Sequence, residues 1–263
     1  MLSPYHLEKY ADVLLWGLQT AKKASLKKNE IVLIQYGQPA LKLAEILYAR
    51  LLDMGIHPVQ RMVATFEMEK SFYEKANPKQ LTFLTPGDQE LYQNIGGRIY
   101  LHAPESLTHL KDIEPSRIGK AMVSRKPLKD ILDRREEQHK YSWTLCIVPT
   151  DELARQARMS IKQYTGQVVK GCYLDRNHPV AEWQHIHKEV MAIKKRLSSL
   201  PVKYFRMESA GMDLKITPGD QRKWAGVSGH NVPSFEVFIS PDWRGTEGVY
   251  FANLPSFRSG NYV

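Results

Sequence analysis

The chain has 263 residues, 43% of them hydrophobic and 25% charged, which excludes a disordered or fibrous protein and leaves room for one large domain or two small ones. Lysine and arginine outnumber aspartate and glutamate by 37 to 28, a net charge of +9 that raises nucleic acid or an acidic membrane as partners. Two cysteines, Cys146 and Cys172, exclude a disulfide framework and lack the histidine spacing of a structural zinc site.

The opening MLSPYHLEKYADVLLWGL carries acids and tyrosines where a signal peptide would be basic and then apolar. No run approaches the ~20 apolar residues of a membrane-spanning helix, so the expectation is a cytoplasmic protein without a membrane partner. Apolar residues recur at helical spacing over residues 4–26, through Leu7, Tyr10, Ala11, Leu14, Leu15, Leu18 and Ala21, and predict an amphipathic helix. Glu30 to Gly37, EIVLIQYG, is an almost unbroken apolar run of the kind found in a strand covered on both faces of a parallel sheet. A helix over 39–54 and a strand in HPVQRMVAT complete a strand, helix, strand unit. The alternation continues with helical segments over 66–94, a strand at 96–103, a charged helix over 114–138 and a strand at 141–148. A helical pair follows at 150–169 and 179–198. The expected fold class is therefore α/β, a three-layer, doubly wound, mostly parallel sheet over residues 1–200.

Beyond Pro201 the helix signals vanish. Short β runs in VKYFRMES, MDLKIT, FEVFIS and GVYFAN alternate with Gly, Pro, Asn and Ser, which predicts a second, β-rich domain over 201–263. Neither part shows an internal repeat or a low-complexity segment.

Few residues carry chemistry. The basic residues are spread along several helices and interleaved with acids, as in DILDRREEQHK, which reads as solvated helix faces and argues against a nucleic-acid partner. A strand ending in YGQPALKLAE offers Gly37 alone, without the further glycines that let a backbone approach a pyrophosphate. Cys146 sits in the apolar run YSWTLCIVPT and reads as a buried thiol. His185 and His187 point to different sides of a helix and cannot share an ion; His185 and Glu189, four apart, form an ordinary surface pair.

The segment GHNVPSFEVFISPDWRGTEG, residues 229–248, combines backbone punctuation with a carboxylate. Gly229 and Asn231 ahead of Pro233 predict a turn, and Glu236 follows between Phe235, Val237 and Phe238. A carboxylate among apolar neighbours requires a metal ion or an arginine, so Glu236 is either a ligand or an acid paired with a residue such as Arg244.

This segment resembles the signature of the thermophilic metalloaminopeptidase family typified by aminopeptidases T and S, in which a strand-borne glutamate after a Gly-His-Asn-hydrophobic-Pro turn is the first metal ligand. Glu236 occupies that position. GMDLKI at 211–216 and Trp224 resemble the family's preceding Asp-Leu hairpin, while Pro241, Gly245 and Gly248 fit the loop after the ligand. The resemblance implies hydrolysis of N-terminal residues from peptides at a site of two divalent ions, zinc, cobalt or manganese, with a further glutamate accepting the proton of the attacking water. It also implies further acids and histidines C-terminal of Glu236. After His230 the chain has no histidine, and Glu247 is the one carboxylate beyond Asp242, so a C-terminally truncated and inactive or impaired chain is expected. Unfinished strand edges predict a homodimer. A noncatalytic interaction protein and a basic nucleotide- or nucleic-acid-binding module are the competing functions.

Overall fold

The computed structural model describes residues 2–23 and 25–251. Contacts divide the chain into two compact units. One runs to Val180 and takes back Gly229–Pro233; the other comprises Ala181–Ser228 and resumes at Ser234.

The first unit begins with α1 (Pro4–Lys22), whose start is fixed by the Ser3 side chain accepting from the His6 amide at 3.3 Å and by Pro4 in the first turn. Lys23 adopts a left-handed conformation at φ +56° and ends the helix, earlier than the amphipathic pattern to residue 26 predicts. Next come β1 (Ile31–Tyr36), α2 (Leu41–Asp53) and β2 (His57–Met62). The helical stretch over 66–94 is three helices, α3 (Phe66–Lys75), α4 (Pro78–Leu81) and α5 (Asp88–Asn94), because Asn77 builds a capping box with Gln80 and Gly87 restarts the chain at φ +85°. β3 (Ile95–His102) follows. The expected single helix over 114–138 is likewise two, α6 (Pro115–Ser124) and α7 (Lys126–Glu137). Pro127 lacks the amide that a continuous helix would use, and it occupies the first turn of α7, where none is needed. β4 (Ser142–Ile147), α8 (Asp151–Gln156) and α9 (Ile161–Gly171), capped by Ser160 and Gln163, precede α10 (Pro179–Ser198).

The strands align in the order β2-β1-β3-β4, all parallel, as the alternation of strands and helices predicts. Chain direction across the sheet reverses between β1 and β3, so the sheet is doubly wound. Alternate residues of β1 serve opposite faces. Leu33 packs with Ile95, Leu132 and Tyr141 beneath α5 and α7. Val32 and Gly97 lie against Leu18 of α1 on the other face, where a side chain at Gly97 would sit 3.0 Å from Leu18 Cδ2. A bulge at Gly96, with Ile31 opposite Ile95 but Val32 opposite Gly97, lets Ile95 and Gly97 face opposite layers. Each fully buried Leu or Ile contributes about 1.5–3 kcal/mol, and Leu14, Leu18, Leu33, Ile34, Leu43, Leu47 and Ile95 are all of this kind.

The sheet has a fifth strand that the sequence does not predict. After the antiparallel strands β5 (Phe205–Ser209), β6 (Met212–Ile216) and the short β7 (Ala225–Gly226), the chain returns as β8 (Asn231–Val232), parallel to β4. The expected turn at 229–233 is therefore an element of the parallel sheet. Gly229, at φ +85°, makes this possible: a Cβ there would collide with the Gly17 carbonyl of α1, while its own carbonyl accepts from Thr144 Oγ1 at 2.7 Å. Leu145 donates its amide to the His230 carbonyl at 2.7 Å.

In the second unit β5 and β6 form a hairpin, and β10 (Thr246–Tyr250) adds to β6 to give the order β10-β6-β5. The strand expected in FEVFIS is short, β9 (Val237–Phe238), paired antiparallel with β7. Trp183 of α10 stacks on Phe235 with ring centroids 5.2 Å apart, and Phe205 meets Trp224 edge-on at 5.9 Å. Among the described residues no helix is long and apolar enough to cross a membrane.

Candidate functional site

The candidate segment starts at the sheet and leaves it at Pro233. His230, beside β4, has its ring 4.5 Å from that of Trp143, and its Nε2 lies 3.1 Å from Glu136 Oε1. Burial holds its pKa below the ordinary histidine value, against the opposing pull of the Glu136 carboxylate. The imidazole is thus packed beside the sheet and paired with the Glu136 carboxylate.

Glu236 stands immediately ahead of β9 rather than within it. Its carboxylate is exposed, and Oε1 accepts from Ser234 Oγ at 3.3 Å. The short strand explains the difference from expectation: without an extended ladder to bury it, the side chain turns to water, and hydration removes the need for an obligatory counter-ion. Nor is Arg244 its partner. Arg244 grips Asp242, with Nη2 2.6 Å from Oδ2 and a backbone amide on Oδ1, which pulls the Asp242 carboxyl down to about 2. Glu236 therefore has no ion pair among the described residues.

The other residues singled out in the sequence fall elsewhere. His185 Nε2 lies 3.3 Å from Glu189 Oε1 on an exposed face of α10. GMDLKI forms the hairpin strand β6, where Asp213 lies 3.4 Å from Arg206 Nε. Cys146 and Cys172 are buried around Tyr10, whose hydroxyl donates to the Ile147 carbonyl at 3.1 Å and lies 3.5 Å from Cys172 Sγ. Burial pushes the Cys172 thiol up to about 12 and Cys146 higher still, so neither is a nucleophile.

Divalent ions of the kind the resemblance implies need several converging carboxylates and imidazoles. Among the described residues no three His, Cys, Asp or Glu side chains converge on one point, and Glu236 supplies a single carboxylate. These residues alone do not fit a two-ion centre.

One polar residue on the sheet went unmarked in the sequence. Arg98, in GGRIYLHA, lies in the middle of β3 on the face covered by α5 and α7. A charge inside an apolar strand run was the available signal.

Comparison with known proteins adds two findings. The thermophilic metalloprotease (M29) family profile matches residues 4–263. Among solved structures the fold matches wild-type AmpT from Thermus thermophilus with a TM-score of 0.69 at 15% identity, covering 92% of this chain and 63% of that one. At that identity the likeness concerns the fold. No curated protein matches the chain.

Proposed function

The chain belongs to the thermophilic metalloprotease family, and we propose that it serves the metal-dependent removal of N-terminal residues from peptides, with Glu236 supplying one ligand carboxylate. The observation that carries the ligand role is the state of Glu236: exposed, directly ahead of a strand, bonded to one hydroxyl and not engaged by Arg244. An acid held for structure would be matched to a cation, whereas a carboxylate that must meet an incoming ion has to be left open. Because one carboxylate competes poorly with water for a divalent ion, this chain alone should bind metal weakly and turn over slowly. Peptides as substrates, a cytoplasmic location and a homodimer joined through β10, an edge strand among the described residues, belong to the same reading.

The test uses the purified chain with zinc, cobalt or manganese in excess, an aminoacyl p-nitroanilide and its N-acetylated counterpart. Metal-dependent release from the free amine alone is expected. Equal cleavage of the acetylated compound would replace the aminopeptidase reading with an endopeptidase one. Complete inactivity at every metal concentration would assign the chain the competing noncatalytic role. Equilibrium dialysis of cobalt should show an affinity at least about tenfold lower in Glu236→Gln, and an unchanged affinity removes Glu236 from the ligand set.

A further inference from the structure

Beneath α5 and α7, within the first unit, lies a pocket of about 770 Å³. Arg98 reaches it from β3, where it pairs with Leu33 on one side and Trp143 on the other. A guanidinium on the covered face of a central strand is costly to desolvate, and a partner is expected. None is present: Arg98, half-buried, makes no hydrogen bond or ion pair with a described residue, and its Nε is buried and unmatched. The Tyr141 hydroxyl, on a residue 2% exposed, is also buried without a partner. Burial raises its pKa far above the ordinary phenol value, so it remains a hydrogen-bond donor. Two donors of one pocket are thus unsatisfied together.

The acids of the same pocket are already matched. Asp88 lies 2.6 Å from Arg61, Glu136 lies 3.1 Å from His230, and Asp133 is paired with Lys129. What Arg98 Nε and the Tyr141 hydroxyl lack is an acceptor of their own. Trp143, Tyr92, Leu128 and Leu132 supply apolar wall, and exposed Arg125 at the start of α7 adds positive charge that attracts an anion. Planar, forked donors such as guanidinium match a carboxylate in two bonds. A phosphate dianion would bring a second charge close to Asp133 and Glu136 and is the poorer fit.

We propose that this pocket binds a small organic carboxylate with an aromatic or branched apolar body, its oxygens held by Arg98 and Tyr141 and its body by Trp143, Tyr92 and Leu128. All these residues belong to the first unit, so the site stands independently of the role given to Glu236.

Isothermal titration of the full chain with 3-phenylpropionate tests this. Saturable binding is expected, with 3-phenylpropanol and phenyl phosphate each weaker by about tenfold or more. Arg98→Gln should lower the affinity for 3-phenylpropionate by about 10–100-fold and Tyr141→Phe by about 5–10-fold, values typical of losing a charged or a neutral hydrogen bond. Both variants should melt no lower than the parent, since Tyr141→Phe removes an unmatched buried hydroxyl and Arg98→Gln replaces an unmatched charge with a neutral amide. The idea fails if 3-phenylpropionate does not saturate, if the alcohol binds equally well, or if phenyl phosphate binds more tightly. It fails too if Arg98→Gln retains full affinity, and a lowered melting temperature in both variants without any binding by the parent would make the pair structural.

Discussion

β1 and β10 are strands of six and five residues, yet Val32, Leu33 and Ile34 of β1 are fully buried while Val249 and Tyr250 of β10 are exposed. A central parallel strand is covered by helices on both faces, so most of its residues contribute to the core, and its sequence is largely apolar. An antiparallel edge strand is held chiefly by its ladder to one neighbour, here β6, and its side chains are free to stay in water. Burial therefore stabilises the first unit residue by residue. In the β-rich unit, backbone pairing and a few aromatic contacts such as Trp183 on Phe235 carry more of the load.

The widest gap should appear on truncation of comparable side chains. Leu33→Ala leaves a cavity between β1 and the helices α5 and α7 and should cost about 2–5 kcal/mol, whereas Val249→Ala should stay within about 0.5 kcal/mol. Urea unfolding of the two variants measures both. Equal losses would mean that the β-rich unit has a core of the same kind, and the contrast would collapse.

A second variant probes the point at which the later chain rejoins the sheet. Gly229→Ala puts a Cβ against the Gly17 carbonyl at a positive φ and should cost about 2–3 kcal/mol. The loss should be local to β8. Faster hydrogen exchange at the Leu145 amide, whose acceptor is the His230 carbonyl, would report it, and unchanged exchange would show that β8 contributes little to the sheet.

These two sites also mark what could be read in advance. β1 is legible as an almost unbroken apolar run, and β2, β3 and β4 as short β-prone runs set between helical segments. β8 was not: two residues have no period, and their pairing depends on how closely α1 can approach Gly229, a tertiary fact. Pro127 is the sequence signal for the break between α6 and α7, hidden within a charged helical pattern that runs through both. Glu236 stands out in the sequence for its apolar neighbours and its family resemblance, yet it is exposed, because the strand after it is too short to bury it. Arg98 shows the converse, an isolated charge in an apolar run whose lack of a partner becomes visible only once β3 is placed beneath α5 and α7.

His230 gives the smaller, pH-dependent effect. Its folded pKa lies below the unfolded value of about 6.5, so the unfolded chain takes up protons first as the solution is acidified. This group's contribution is complete above that value, declines as pH falls below it and stops changing once the folded imidazole is itself protonated. His230→Asn should flatten that part of the stability profile. Since Glu136 also faces the ring and opposes the shift, Glu136→Gln should steepen it. Chemical denaturation between pH 7.5 and about 5 would compare the three proteins, and parallel curves would remove His230 as the titrating group.

The smallest change in stability is expected where the functional claim is greatest. Glu236→Ala removes an exposed carboxylate whose described partner is the Ser234 hydroxyl, so the unfolding free energy should shift by no more than about 0.5 kcal/mol. Had the residue been a buried acid paired with arginine, the same change would strand a charge and cost about 3–5 kcal/mol. Arg244 is already held by Asp242 and loses nothing when Glu236 is removed. A near-silent unfolding curve together with weakened cobalt binding is the combination expected of an open ligand carboxylate. A loss of several kcal/mol would instead make Glu236 part of the framework of the β-rich unit, and the division between a region stabilised by burial and one left open for function would need to be redrawn.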